Sequence, residues 1–318
     1  MTNAFEARFT PLGGSDIFAD VALSPQITQQ VRAHLWPADN QPADKRVLFL
    51  PGFTEFCEKH AHTAKRLVDL GYQVLMIDWP GQGRSGHLAK DKLAVHIDDF
   101  AQYDAALDAI LAAAGWRDDR FLLIGHSMGG HMALRSCGRL ASHIRAALLM
   151  APMIRPHLGP ARLILSLVQL LGKSPLYARG APTQKKLPMS LARRYSSLNP
   201  LTHDPAYYDL PYQWFERAPE LRRTIATVGW VRAAYQSCLD TSLNKNWLRQ
   251  QQVPVLALLA GQEYICSLPA AQEYLAYLPD ADIRVIDEAR HEIFSETADI
   301  QARVWPEIEA FLARYADQ

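Results

Sequence analysis

Six short apolar runs constrain the fold of this chain more than any other feature. Val47-Leu-Phe-Leu50, Val74-Leu-Met-Ile77, Phe121-Leu-Leu-Ile124, Ala147-Leu-Leu-Met150, Val255-Leu-Ala-Leu-Leu259 and Ile283-Arg-Val-Ile286 each have the length of a strand. The first five are almost unbroken in hydrophobicity, which is the mark of parallel strands covered on both faces. Between them, Glu58–Leu70, Ile97–Ala114 and Met128–Leu140 repeat apolar residues at helical spacing, and Gly71 and Gly115 close the first two. Strand alternating with helix predicts an α/β protein built on a doubly wound, mostly parallel sheet. An earlier run at Val31–Trp36 predicts an added antiparallel edge strand.

The rhythm breaks after Met150 and resumes at Val253. Residues 154–245 are rich in proline, show several apolar helical patterns and contain no convincing strand. This divides the chain into a core, 1–153 and 246–318, and an inserted helical cap, 154–245, over the carboxyl ends of the strands, where ligands bind in such sheets. Charge supports the division. The whole chain balances 33 Lys and Arg against 33 Asp and Glu, yet residues 154–245 hold 13 against 5. A basic cap can rest on anionic lipid or receive a phosphate-bearing substrate; it can equally pack on the acidic core. Within it Leu158–Leu171 is strongly apolar, suited to an acyl-binding or membrane-touching helix and equally to buried cap core.

Balanced charge gives no reason to expect nucleic acid as a partner. The first residues, MTNAFEARFTPLGG, lack the apolar region and cleavage pattern of a secretory signal, and no stretch is apolar for long enough to span a bilayer. Cys57, Cys137, Cys238 and Cys266 are scattered without metal-ligand spacing. The expectation is a cytoplasmic protein, with peripheral contact at the inner membrane face, holding free thiols, no metal and no cofactor.

The chemistry begins at Gly125-His-Ser-Met-Gly129, a G-x-S-x-G sequence between the strand at Phe121–Ile124 and the helix that follows. Such a turn forces Ser127 into strained backbone geometry, and Gly125 and Gly129 are needed where the two arms pass closely. The hydroxyl is lifted onto a helix N-terminus, which favours developing negative charge. A serine nucleophile needs a base, and that base needs an acid, in the chain order Ser, acid, His. Of eleven histidines, His291 directly follows the last strand, whereas His126 and His131 are expected to shape the turn and pack its helix. After Val255–Leu259 the only carboxylate is Glu263, which becomes the candidate acid; Asp287 and Glu288 stand as alternatives, though close to His291 in sequence. The oxyanion requires two backbone donors, expected from Met128 and from Phe53 in the Pro51–Thr54 loop. The glycine cluster at Asp78–Gly86 lacks phosphate-loop spacing and reads as a structural turn.

With these residues in place, the chain resembles the α/β-hydrolase superfamily, most nearly the branch of monoacylglycerol lipases and bacterial lysophospholipases grouped with the serine aminopeptidases. Leu50-Pro-Gly-Phe-Thr-Glu55, Asp78–Gly86, Gly125–Gly130, Ala151-Pro-Met153 and His291-Glu-Ile-Phe294 carry the resemblance, and Val228-Gly-Trp-Val231 extends it loosely into the cap. Two departures are Pro51-Gly52, where many relatives have His-Gly, and Glu263, where most have Asp. The resemblance implies hydrolysis of a single-acyl-chain lipid ester through an acyl-enzyme, with the cap supplying the acyl tunnel and Trp230 as a substrate contact. Dehalogenases and epoxide hydrolases of this fold carry Asp where this chain has Ser127. A peptidase would need an acidic anchor, for which the cap is poor in acid, and a non-catalytic binding protein would have no use for the Ser and His.

Overall fold

The computed structural model describes residues 13–38, 45–157 and 188–316. The apolar segment Leu158–Leu171 lies outside these residues. In chain order the strands are β1 (Ser15–Ser24), β2 (Ile27–Trp36), β3 (Arg46–Leu50), β4 (Gln73–Ile77), β5 (Ala94–Val95), β6 (Phe121–His126), β7 (Ile144–Met150), β8 (Ile225–Ala226), β9 (Val255–Ala260) and β10 (Ala281–Ile286). The helices of the core are α1 (Ala61–Asp69), α2 (Ala101–Ala113) and α3 (Met128–Arg139). After them come α4 (Met189–Ala192), α5 (Pro205–Arg217), α6 (Val228–Asp240), α7 (Lys245–Leu248), α8 (Leu268–Leu275) and α9 (Ala298–Tyr315).

Eight strands form one sheet in the order β1-β2-β4-β3-β6-β7-β9-β10, parallel from β4 to β10. Alternate side chains of each central strand enter different cores. Leu48, Leu50, Leu75 and Ile77 pack with Leu107 and Ile110 of α2 and Met132 and Ala133 of α3. Val47, Phe49, Val74 and Met76 pack on the other face with Leu67 of α1 and Val304, Ile308 and Leu312 of α9. Each such aliphatic side chain, fully buried, contributes roughly 1.5–3 kcal/mol. That is why the strands read as continuous apolar runs rather than alternating ones.

The strand at Val31–Trp36 is antiparallel as expected, its Ala33–Trp36 register lying against β4, but it is not the edge. β1 pairs outside it from Ser15 to Ser24. Its signal in the sequence is a weak period of two, because only Val21 and Leu23 of this strand are buried. A second correction falls in the 154–245 segment, read as lacking strands. There Ile225 and Ala226 form β8, parallel to β5. Two residues are too few for periodicity to register.

Apart from a bridge between Pro156 and Cys266, the remaining regular structure in the described part of this segment is helical. Asp204 caps α5 by accepting from the Ala206 and Tyr207 amides (2.8 and 3.1 Å), with Pro205 in the first turn. Thr227 caps α6 at Trp230 N (3.1 Å). α6 sits on α3, where His131 Nε2 meets Ser237 Oγ at 2.7 Å. Among the described residues no helix is long and apolar enough to cross a membrane.

Candidate active site

Ser127 stands between β6 and α3 with φ 54° and ψ −117°, a conformation that costs a non-glycine residue on the order of 1–3 kcal/mol. Three backbone hydrogen bonds hold it there: Ser127 N donates to Met150 O (3.0 Å), and Ser127 O accepts from His131 N (3.1 Å) and Met153 N (2.9 Å). The two glycines are required by proximity. A Cβ on Gly125 would meet the Gly129 carbonyl, and one on Gly129 would meet the Leu50 carbonyl. Both obstacles are backbone and cannot swing away.

His291 lies in the turn after β10. Its Nε2 is 2.8 Å from Ser127 Oγ and its Nδ1 is 2.7 Å from Glu263 Oε2. The other carboxylate oxygen of Glu263 accepts from the amides of Ile265 (2.8 Å) and Cys266 (3.1 Å). Burial alone would raise the Glu263 pKa. The hydrogen bond and charge of His291, with those two amides, outweigh it and hold the carboxyl below its ordinary value. Ser127, His291 and Glu263 therefore form one hydrogen-bonded chain. Asp287 and Glu288 stay outside it, and Glu288 is exposed with Arg303 at 2.8 Å.

The Pro51–Thr54 loop follows β3 and leads to Ser127. Its polar groups can be accounted for singly. Trp79 Nε1 donates to Pro51 O (2.8 Å), Gln82 Nε2 to Gly52 O (3.2 Å), and Thr54 N to Gln82 Oε1 (2.8 Å). Gly52 N donates to Glu55 Oε2. The Phe53 amide is left with no acceptor among the described residues, and Met128, first in α3, has none within its helix. Both expected oxyanion donors are thus available. The Asp78–Gly86 turn is structural, as its residues suggested, but it also carries Trp79 and Gln82, which strap this loop. Its own anchor is Asp78, buried against Arg32 (3.0 Å) and the amides of Cys57 (2.8 Å) and Arg84 (2.9 Å).

Sequence reasoning did not anticipate the network beneath the site. The Glu55 carboxylate meets Lys59 Nζ (2.8 Å), His60 Nε2 (2.8 Å) and His126 Nδ1 (3.0 Å), and Lys59 also meets Glu292 (2.7 Å). His126 Nε2 lies 3.1 Å from the carbonyl of His291. Both ring nitrogens of His126 face acceptors, so both donate and the ring is an imidazolium. Burial would lower its pKa, yet the Glu55 charge overrides burial and raises it. Burial dominates at His60 and lowers its pKa despite the Glu55 charge. Glu55 is held well below the usual carboxylate range against complete burial by His126, Lys59 and His60. Glu55, Glu292, Lys59 and His126 thereby cancel in charge. Glu55, His60 and His126 place ligand atoms within 4.8 Å of one another, but protons and the Lys59 ammonium already occupy the carboxylate, so the cluster is a poor metal site. The Gly-x-x-Glu spacing at Gly52–Glu55 was its one signal in the sequence.

A cavity of about 390 Å³ opens over Ser127 and His291, walled by Phe53, Phe56, Tyr208, Tyr212, Phe215, Arg222 and Arg223 among others. Trp230, expected to touch substrate, does not line it. Its ring packs behind Phe53 at 4.2 Å between centroids, and its Nε1 donates to Tyr103 Oη (3.0 Å). It supports the Pro51–Thr54 loop from behind.

A family model described as serine aminopeptidase, S33, matches residues 41–298. Lysophospholipase L2 of Escherichia coli strain K12 is 29% identical over 265 residues, 80% of this chain and 68% of that protein. The monoacylglycerol lipase of Mycolicibacterium smegmatis is 26% identical over 181 residues, 56% of each chain. Among solved structures, a soluble variant of monoglyceride lipase from Saccharomyces cerevisiae superposes with a TM-score of 0.70 at 17% identity, covering 90% of this chain and 92% of that one. That likeness establishes the α/β-hydrolase fold.

Proposed function

Because this chain belongs to the serine aminopeptidase S33 family of α/β-hydrolases, we propose that it hydrolyses the carboxylic ester of a single-acyl-chain lipid, a lysophospholipid or monoacylglycerol, through an acyl-enzyme. The observation that carries this reading is the chain Ser127 Oγ–His291 Nε2–Glu263 at 2.8 and 2.7 Å beside two unengaged amides. The names of the relatives support the choice of substrate.

His291 Nε2 takes the Ser127 proton as Oγ attacks the ester carbonyl. The Glu263 carboxylate holds Nδ1–H and stabilises the imidazolium that forms. The oxyanion is received by the Phe53 and Met128 amides, which are already fixed in direction and need no reorganisation. The imidazolium then protonates the glycerol oxygen, which leaves and vacates Nε2. Water is deprotonated at the same nitrogen, attacks the acyl-enzyme and releases the fatty acid. The basic balance of residues 154–245 favours peripheral contact with an anionic lipid surface on the cytoplasmic side.

A peptidase that recognises a free amine is less well supported. The carboxylates lining the cavity, Glu55 and Glu292, both bind Lys59. Labelling with a fluorophosphonate probe should occur in the wild type and be lost in Ser127→Ala. Turnover of monoacylglycerol and short-chain nitrophenyl esters should fall by ~10⁴–10⁶ in that variant. Retained labelling or near-full activity in Ser127→Ala would sink the proposal.

A further inference from the structure

The cavity over Ser127 has a charge imbalance that the hydrolytic chemistry does not use. Of its ionisable walls, Glu55, Glu292, Lys59 and His126 cancel one another, and Glu263 faces His291 and two amides behind the serine. Arg223 belongs to neither group. It is 5% exposed, and among the described residues its guanidinium donates to carbonyl oxygens: those of Gly81 (2.9 Å), Glu220 (2.7 Å), Arg222 (2.9 Å) and Gly86 (2.7 Å). Among the described residues no carboxylate forms an ion pair with it. The carboxylates that act on its charge are Asp78, which is already bound to Arg32, and the exposed Glu220. Residues 158–187 hold five Lys and Arg and no Asp or Glu.

A buried guanidinium without a carboxylate is costly unless an anion completes it. Carbonyl partners fix the Arg223 plane in place, so its charge is stationary. Arg222, the next residue, is only partly buried and also lines the cavity, where a planar guanidinium suits a phosphate. We propose that Arg222, in the field of Arg223, binds the phosphodiester of a lysophospholipid head group while the ester lies at Ser127. This rests on the ester-hydrolase reading and narrows it. The enzyme then prefers phosphate-bearing lysolipids over neutral monoacylglycerols of the same chain.

The test compares kcat/KM for hexanoyl lysophosphatidylglycerol, hexanoyl lysophosphatidylcholine and monohexanoylglycerol, all used below micelle formation, in wild type and Arg222→Gln. The wild type should favour both phosphodiesters. Arg222→Gln should reduce that preference by about tenfold or more, the scale of a charge-assisted hydrogen bond to phosphate. Glycerol phosphate should inhibit hydrolysis of a nitrophenyl ester competitively in the wild type, and more weakly in the variant. Equal wild-type rates on phosphodiester and neutral substrates overturn the proposal, and so does an equal loss on all substrates in Arg222→Gln. Inhibition by inorganic phosphate without any preference for phosphodiester substrates would identify a free-phosphate site and also refute it. Failure of the parent reading looks different: no ester is cleaved, or cleavage survives Ser127→Ala.

Discussion

Replacing Glu263 by glutamine keeps the length of the side chain and removes its charge, and the surrounding donors dictate how the new amide must sit. The Ile265 and Cys266 amides, at 2.8 and 3.1 Å, both point at one carboxylate oxygen. In Glu263→Gln that position must be taken by the side-chain amide oxygen, because an NH₂ group there would face two further donors. The NH₂ is then presented to His291 Nδ1, 2.7 Å away in the wild type, which must become an acceptor. The imidazole proton moves to Nε2 and points at Ser127 Oγ, leaving no lone pair to take the serine proton. The imidazolium also loses its counter-charge. Loss of an orienting carboxylate by amide substitution costs on the order of 10⁴ in kcat, or about 5 kcal/mol at 1.36 kcal/mol per tenfold. The assay is kcat on a short-chain nitrophenyl ester near pH 8, with thermal unfolding to confirm that the fold is intact. Asp287→Asn and Glu288→Gln, lying outside the hydrogen-bonded chain, should stay within about twofold of wild type. The reasoning is refuted if Glu263→Gln keeps more than a tenth of wild-type kcat, or if either neighbour's substitution is as damaging.

Ser127→Gly should abolish turnover yet raise stability by about 1 kcal/mol, read as a higher melting temperature, because φ 54° no longer strains the residue. A fall in melting temperature would contradict the strain argument. Gln82→Ala removes two hydrogen bonds from the Pro51–Thr54 loop and leaves that of Trp79; kcat should drop roughly tenfold to a hundredfold with KM little changed. A pure KM effect would show that the loop holds its place without Gln82. His131 is fully buried, and burial, with the Arg135 charge, lowers its pKa to about 3. Its folded-state pKa is therefore below the unfolded value, so the unfolded chain binds the proton first. Stability due to this group is complete above about pH 6.5 and declines as pH falls from there toward 3. The wild-type urea midpoint should decrease over that range, and His131→Gln should lessen the slope by up to ~1.4 kcal/mol per pH unit. Parallel pH profiles for the two proteins would refute the assignment.

What could be read in the sequence and what could not differ in range along the chain. Ser127 announced itself because its glycines, strand and helix are all within a few residues. Glu263 and His291 were placed by strand order alone, since each follows the end of its own parallel strand. β1 escaped because an outer strand buries few of its side chains and leaves little periodic signal. Trp230 looked like a substrate contact from its neighbours in sequence. Its position behind Phe53 is set by α6 crossing α3, which no local pattern encodes.

The sequence by itself determined the fold class and the chain order of Ser127, Glu263 and His291, because burial on both sheet faces writes itself into the central parallel strands. Only the tertiary structure decided that Glu55 joins the Pro51–Thr54 loop to His126 and, through it, to the His291 backbone, between residues 71 and 165 positions apart. Likewise only the fold put Arg222 and Arg223 in the wall above Ser127. Propensity and hydrophobic period act over a turn or a strand. A charge balance inside a cavity depends on which distant segments are brought face to face, and that is settled by packing.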